Sequence, residues 1–181
     1  MRSASHGSAR PLSCGVIPTR PCTTRESDFI SAVAARNVVR PRVAGIVVAN
    51  DQLLVQRPND DPTACYAFIG GEYEVGDTLE SRLRAEFDEE TTASVLTARY
   101  LFVVENRFRY AGRLVHGLEH YFLVEIDTVE VQSRESHLEF HWLPLQNLRE
   151  LDIRPHVVRD AILSGSYLQA RHLVTPYSEP T

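Results

Sequence analysis

The 181-residue sequence has few of the features that mark zinc-binding, secreted or membrane proteins. Its three cysteines, Cys14, Cys22 and Cys65, include no CxxC pair, which argues against a zinc site. Their odd number argues against a disulfide framework and fits a reducing compartment. No apolar run approaches the roughly 20 residues that a membrane-spanning helix needs. These absences predict a cytoplasmic protein without a membrane partner.

The chain also has no excess of positive charge, because 19 basic residues stand against 24 acidic ones and give a formal net charge of −5. A mildly acidic protein has no general electrostatic attraction to nucleic acid or anionic lipid. If it handles phosphates, it must do so locally, with a metal ion or a few arginines. The hydrophobic fraction of 43% is typical of a globular domain that buries one core.

The first 25 residues contain no acidic side chain and no apolar signal-peptide core, and they are rich in Ser, Thr, Arg and Pro. We interpret them as a flexible tail or the product of an early start codon, with an organelle presequence left open as the alternative. The predicted organisation is a tail at 1–25, a short helix and linker at 26–41, the main domain at 42–173, and a loose C-terminus at 174–181.

Segments rich in β-branched residues predict strands around one central helix. The strands are expected at 43–48, 53–56, 68–71, 95–105, 118–126 and 140–143, and residues 107–117 are expected to link two of them. Asp77, with Glu80 three residues on, predicts the N-cap of the central helix, which should run to about Thr91. This alternation predicts a mixed α/β sandwich.

Three glutamates on the central helix, Glu86, Glu89 and Glu90, are spaced i, i+3 and i+4 and so lie on one side of it. At roughly 100° per residue, Glu86 and Glu90 project within roughly 20° of Leu79, which belongs to the core-facing stripe. Carboxylates on that inward edge need a positive partner. Hard oxygen ligands suit Mg²⁺ or Mn²⁺, although the helix geometry alone leaves an ordinary acidic face as an equal alternative.

The segment 70–93 reads GGEYEVGDTLESRLRAEFDEETTA and resembles the Nudix box, G-x5-E-x7-R-E-U-x-E-E-x-G-U, in which U is apolar. Gly71 takes the place of the first glycine, Asp77 that of the first acid, and residues 86–90 match E-U-x-E-E in register. With similar flanking segments, the resemblance covers about 42–165. It implies the Nudix α/β/α sandwich with a mixed sheet.

The resemblance further implies metal-dependent hydrolysis, with Mg²⁺ or Mn²⁺, of a diphosphate linkage in a nucleoside diphosphate derivative or similar small molecule. Glu86, Glu89 and Glu90 would be the metal ligands and catalytic groups, one of them acting as base toward the attacking water. The carbonyl of Gly71 would assist as a ligand. A further base or ligand is expected downstream, and the candidates left open are Glu105, Glu119 and Glu135.

The sequence departs from the box at two positions. Ala85 stands where the box has the arginine that holds its glutamates in place, and Thr92 stands where it has the final glycine. Arg82, one turn before Glu86, could reach that carboxylate as an i,i+4 pair. The missing arginine favours one competing hypothesis, a non-catalytic module that senses a nucleotide or binds a protein. A diphosphate isomerase is a third hypothesis without any supporting motif.

Candidate substrate-binding residues lie outside the box. Arg107, Arg109 and Tyr110 are expected between strands beside the cleft, where the arginines could grip phosphate and the tyrosine could stack on a base. Arg57, at a strand end, is a further candidate for a phosphate contact. Ordinary surface roles are equally open for the residues at 107–110, and the sequence allows a homodimer without requiring one.

Overall fold

A computed structural model describes residues 25–110 and 112–176. The tail predicted at 1–25 therefore lies outside the described residues except for Arg25, and so do residues 177–181 of the loose C-terminus predicted at 174–181. The helices are α1 (Arg25–Arg36), α2 (Leu79–Glu90) and α3 (His156–Leu163). The strands are β1 (Val39–Ala49), β2 (Gln52–Pro58), β3 (Tyr66–Ala67), β4 (Val95–Tyr110), β5 (Arg113–Ile126), β6 (Leu138–Pro144), β7 (Ile153–Arg154) and β8 (His172–Val174).

Strand β1 joins the two parts of a mixed sheet whose order is β7-β3-β2-β1-β5-β4-β8, with β6 paired to β2. The first part of β1, residues 39–46, runs parallel to β5. After β1 the chain turns back through a hairpin, and β2 pairs antiparallel with residues 47–49. Long β4 and β5 form an antiparallel pair along almost their whole length. The strands therefore form one sheet with two faces.

Successive side chains of β1 point to opposite faces of the sheet and pack into two separate cores. Val43 and Val47 pack with Leu83 and Phe87 of α2 on one face. The other face contacts α3 and the 3₁₀ turn before it, with a core that includes Ile46, Phe102, Tyr121, Leu148, Val158 and Ile162. Because successive strand residues point to opposite faces, one β-branched run serves both layers. The predicted α/β/α sandwich with a mixed sheet is confirmed.

Two local predictions were wrong. The expected link at 107–117 is the tip of a hairpin, because β4 continues to Tyr110 and β5 already begins at Arg113. Polar residues alternate with apolar ones there, which suits a strand with one wet face. The N-cap of α2 is Thr78 rather than Asp77, and Thr78 forms a reciprocal capping box with Ser81. Asp77 instead accepts a hydrogen bond from the backbone N–H of Glu74.

Helix α1 packs against the turn end of the β4–β5 hairpin. Val33 and Ala34 form a small third core with Val115, against which Phe108 and Tyr110 pack. The helix precedes β1, which begins at Val39, three residues before the predicted start of the domain at 42. Of the helices described here, none has the length and apolar character needed to cross a bilayer.

Candidate active site

Helix α2 lies close to β1 because Gly45 has no side chain. A Cβ at Gly45 would come within 2.8 Å of the Phe87 ring, which is completely buried. The packing of Leu83 and Phe87 fixes the rotation of the helix about its axis. That rotation turns Glu86 inward, as the helical wheel predicts, and leaves Asp88 and Glu89 toward solvent.

Glu86 is the buried member of the acidic group, with 8% of its side chain exposed. Both Nε (2.7 Å) and Nη2 of Arg82 donate to its Oε1 atom. Arg82 Nη2 also donates to Oε2 of Glu89 at 3.1 Å. Burial raises the pKa of Glu86, and the guanidinium of Arg82 opposes that rise. Arg82 therefore provides, from one turn earlier, a positive partner for this carboxylate in a helix that has Ala85 at the box position.

The double glycine before α2 allows the backbone to pass directly beside Glu86. A Cβ at Gly71 would overlap the Glu86 carboxylate, and a Cβ at Gly70 would overlap the Val43 carbonyl. Gly70 also has φ of 149°, which L side chains rarely adopt. The Gly71 carbonyl, predicted as a metal ligand, accepts a hydrogen bond from the N–H of Val43 (3.0 Å). The second lone pair of the Gly71 carbonyl oxygen remains available to coordinate a metal ion.

Glu90 lies one turn beyond Glu86 and carries the most perturbed carboxyl group of the site. Burial raises its pKa to about 8, and the negative charge of Glu86 adds to the rise. Arg42 and the Gln56 amide lower it to a smaller extent. Its Oε2 atom is buried and has no hydrogen-bond partner among the described residues. At neutral pH the carboxyl is therefore largely protonated in the metal-free chain.

This pKa leads to an expected pH dependence of stability in the presence of a chelator. The pKa of Glu90 is about 8 in the fold against an ordinary value of 4.5. Its stabilising contribution is then complete below pH 4.5 and is lost as the pH rises through 8. The melting temperature should fall over this window, and Glu90→Gln should flatten the fall. Asp88→Asn, on the exposed face of α2, is the control and should keep the wild-type slope. An unchanged slope in Glu90→Gln would contradict the assignment.

The chemistry of the donor set fits a hard divalent cation, since it consists of carboxylate oxygens with one buried oxygen lacking a partner. Within the part of the chain that the structure describes, no three Asp, Glu, His or Cys side chains are gathered closely enough to hold a metal ion. Glu86 and Glu89 both accept hydrogen bonds from Arg82. Glu90 meanwhile lies against Gln56.

A cleft of about 610 Å³ opens on the sheet face opposite α2, between the β4–β5 hairpin and the segment that leads into α3. Three of the predicted substrate-binding residues, Arg107, Arg109 and Tyr110, line it. Five arginines contribute to the wall, and their positions are 40, 42, 107, 109 and 154. Phe68 and Phe108 add apolar surface. A cleft of this composition suits a ligand that is both anionic and aromatic.

Arg42 connects this cleft with the acidic helix. It lines the cleft, and its charge lowers the pKa values of Glu86 and Glu90 against the dominant effect of burial. Its Nη2 atom donates to the Gly70 carbonyl at 3.1 Å, while its Nε atom is buried without a hydrogen-bond partner among the described residues. Arg42 therefore lies between the cleft and the acidic helix, whereas Glu86, Glu89 and Glu90 are not among the residues that line the cleft.

Sequence reasoning did not find Arg40 and Arg42, because it began the strand at Val43. Arg40 is buried and donates twice to Glu72, which also accepts from Arg36 of α1. The alternation of two arginines just before an apolar run is the signal that could have revealed them, since it is typical of one face of a longer strand.

Arg57 is not among the residues that line the cleft. It pairs with its cross-strand neighbour Glu139 on β6, with Nε 2.6 Å from Oε1. Its guanidinium carbon lies 5.2 Å from the centre of the Tyr66 ring. The structure thus places Arg57 in an ion pair with Glu139 and outside the cleft. The geometry of the cleft gives no support to its predicted phosphate contact.

The three downstream acidic candidates lie in different places. Glu105 on β4 pairs with His172 of β8 at 3.0 Å. Glu119 is buried in the floor of the cleft. Glu135 lies in the segment before β6, and its charge adds a small part to the burial-dominated rise in the pKa of Glu90. Glu135 is therefore the candidate whose charge acts on the pKa of Glu90 in the acidic helix.

Comparisons with known proteins agree with this architecture. A MutT protein from Bacillus halodurans is 22% identical over 75% of this chain and 86% of that chain, with a TM-score of 0.56. An ADP-ribose pyrophosphatase from Streptococcus suis is 14% identical over 76% and 99%, with a TM-score of 0.56. A MutT protein from Methanosarcina mazei is 16% identical over 72% and 94%, with a TM-score of 0.57.

At these identities the structural likeness shows the fold. No curated protein matches the chain by sequence. The model of the NUDIX domain matches residues 39–161, which is more than half of the chain and includes the whole acidic helix and the double glycine before it. The chain belongs to the NUDIX domain family.

Proposed function

We propose that this Nudix pyrophosphohydrolase cleaves a diphosphate linkage in a nucleotide-like small molecule and depends on a divalent cation, Mg²⁺ or Mn²⁺. The observation that carries the proposal is the inward carboxylate of Glu86, buried beside Gly71, with the partnerless Oε2 atom of Glu90 one turn away. Buried carboxylates are costly without a positive partner, and Arg82 satisfies only part of this group.

Glu86, Glu89 and Glu90 would hold the cation, and the second lone pair of the Gly71 carbonyl is available to assist. A bound divalent ion supplies charge neutralisation on the phosphates and lowers the pKa of a coordinated water. The protein's own contribution is to keep water out of the inward edge of α2 and to orient the carboxylates. Arg82 would hold Glu86 and Glu89 through one oxygen each and leave the other oxygen of each carboxylate to the cation.

A glutamate of this group would also accept the proton of the attacking water. Burial raises the pKa of Glu90 to about 8, so at neutral pH the metal-free carboxyl is largely protonated and could accept a proton only once a nearby cation had ionised it. Glu86, which already has a positively charged neighbour, is the better candidate in the chain as it stands. Glu135 is the candidate for an additional ligand, because it lies near Glu90.

The arginines of the cleft would bind the phosphates. Arg42, at the junction of the cleft and the acidic helix, has a buried Nε donor to offer. Arg107 and Arg109 lie further along the cleft, and Tyr110 offers an aromatic face for a base or similar ring. The chain contains no lysine, so every such contact would come from a guanidinium group, which holds a phosphate through two parallel hydrogen bonds.

The competing function is a Nudix-like module that binds a nucleotide or a protein without cleaving anything, and Ala85 is the observation that favours it. Arg82 weakens that argument because it already contacts two of the three glutamates. The cytoplasm remains our expectation for the location of the chain, on the basis of its odd number of cysteines.

The direct experiment is to incubate the full chain with a panel of nucleotide sugars, dinucleoside polyphosphates and nucleoside triphosphates, with Mg²⁺ or Mn²⁺, and to separate the products chromatographically. We expect turnover of at least one substrate, and its loss when a chelator is added. Calorimetry on the same panel distinguishes the alternative, since a sensor would bind a ligand that is recovered intact after hours. Binding without product for every compound would replace the hydrolase by the sensor.

A further inference from the structure

Glu119 is a buried carboxylate that the proposed chemistry does not use. It lies in the floor of the cleft on β5 and is only 6% exposed. No arginine or histidine nitrogen among the described residues lies within 4 Å of it. Glu86, Glu89 and Glu90 of α2 do not line the cleft that contains Glu119. Glu119 is therefore a separate feature of the cleft.

Two neutral donors hold this carboxylate from opposite sides. Asn106 Nδ2 donates to Oε1 at 2.9 Å, and the Tyr121 hydroxyl donates to Oε2 at 2.9 Å. Tyr121 cannot move away, because its ring is fully buried and lies between Phe102 and Phe68, with ring centres 5.4 Å apart in each case. One donor on each oxygen leaves further acceptor capacity on both oxygens of a fixed carboxylate.

Gly117 keeps this carboxylate accessible. It precedes Glu119 by two residues on the same face of β5, lines the cleft, and is the register partner of Asn106 on β4. A Cβ at Gly117 would lie 3.1 Å from Glu119 Oε1. Because the glycine has no side chain, Asn106 can reach the carboxylate diagonally and the cleft can reach its Oε1 atom.

We propose that Glu119 is a specificity-determining residue, a two-oxygen acceptor that binds two adjacent hydrogen-bond donors on the part of the substrate beyond its diphosphate. The inference rests on the proposed function, because it takes the cleft to be the substrate site. A cationic ligand group is disfavoured, since five arginines line the same cleft against three carboxylates, those of Asp61, Asp152 and Glu119 itself. The donors are therefore neutral, and they belong either to the vicinal diol of a ribose or to the neighbouring N–H and NH₂ groups on one edge of a base.

Nucleoside monophosphates test this inference separately from hydrolysis, because they contain no diphosphate linkage. We would measure by calorimetry, on the full chain, the affinity for GMP, for IMP, which lacks the NH₂ group of that edge, and for 2′,3′-dideoxy-GMP, which lacks the diol. Loss of a paired contact of this kind weakens binding by about 1–3 kcal/mol, or roughly 5- to 150-fold. Weaker binding of IMP assigns the base edge, and weaker binding of the dideoxy probe assigns the diol.

Glu119→Gln should remove this discrimination by replacing one acceptor with a donor. Gly117→Ala should reduce it as well, while keeping the carboxylate, by crowding its cleft side. Glu105→Gln, on β4 and outside the cleft, is the matched control and should retain it. Both cleft variants should bind Mn²⁺ as the wild type does.

Three outcomes would overturn the proposal. The first is equal affinity of the wild type for all three probes, or no measurable binding of any of them. The second is discrimination that survives in both cleft variants, and the third is loss of Mn²⁺ binding in Glu119→Gln, which would make Glu119 a metal ligand. Failure of the hydrolysis panel with intact probe discrimination would count against the proposed reaction alone.

Discussion

Glu86→Gln is expected to lower kcat/KM for any substrate identified in the panel by roughly 100- to 10,000-fold, the usual cost of removing a general base or an equivalent charged group. The substitution keeps the shape of the side chain and removes the charge that Arg82 contacts and that a divalent cation would need. Because Gly71 lies against this carboxylate, the amide occupies the same space and the fold should persist. Steady-state kinetics at saturating Mn²⁺ would provide the measurement.

The matched control for this variant is Asp88→Asn, two residues away on the exposed face of the same helix. It removes one negative charge from α2 without touching the inward edge, so its kcat/KM should remain within about twofold of the wild type, as surface changes usually do. Equal activities for the two variants would mean that the inward carboxylate has no special part in the reaction.

Arg82→Ala is expected to affect both stability and activity. Breaking a buried ion pair by removing one partner costs about 3 kcal/mol or more, and the two side chains here are only 13% and 8% exposed. For a chain of this size that corresponds to a fall in melting temperature of roughly 6–12 °C. Loss of the group that orients a ligand weakens metal affinity or activity by roughly 10- to 100-fold.

Two further variants separate orientation from charge. Arg82→Lys keeps the charge and loses the forked contact with Glu86 and Glu89, so it should recover most of the stability and only part of the activity. Adding Ala85→Arg to Arg82→Ala restores an arginine at the box position and should recover Mn²⁺ affinity. A double variant no better than Arg82→Ala, together with a fully active Arg82→Ala, would show that the shifted arginine has no orienting role.

The acidic helix was predictable because its determinants are local. The spacing of Glu86, Glu89 and Glu90 and the apolar stripe from Leu79 are set by helix geometry, and burial of Glu86 follows from them. The position of Arg82 one turn earlier likewise predicts its contact with Glu86. The resemblance to the Nudix box supplied the fold, which periodicity alone could not have named.

The cleft was much less predictable because it is assembled from residues far apart in the chain. Arg42 and Glu119 are neighbours only because β1 pairs in parallel with β5. Strand pairing of this kind cannot be predicted from the sequence of either strand alone. The polar residues at 106–110 and Gly112 suggested a loop in the sequence, whereas β4 and β5 pair there in the structure. The ion pair of Arg57 was not predictable for the same reason, since its partner Glu139 lies 82 residues away.

The central claim is that the inward carboxylates of α2 receive a divalent cation, and Mn²⁺ titration followed by electron paramagnetic resonance tests it directly. The wild-type chain should deplete the signal of free Mn²⁺ in a saturable way, and Glu86→Gln should weaken that binding by at least tenfold. A signal that the wild-type chain leaves unchanged, or identical titrations for the two proteins, would contradict the claim.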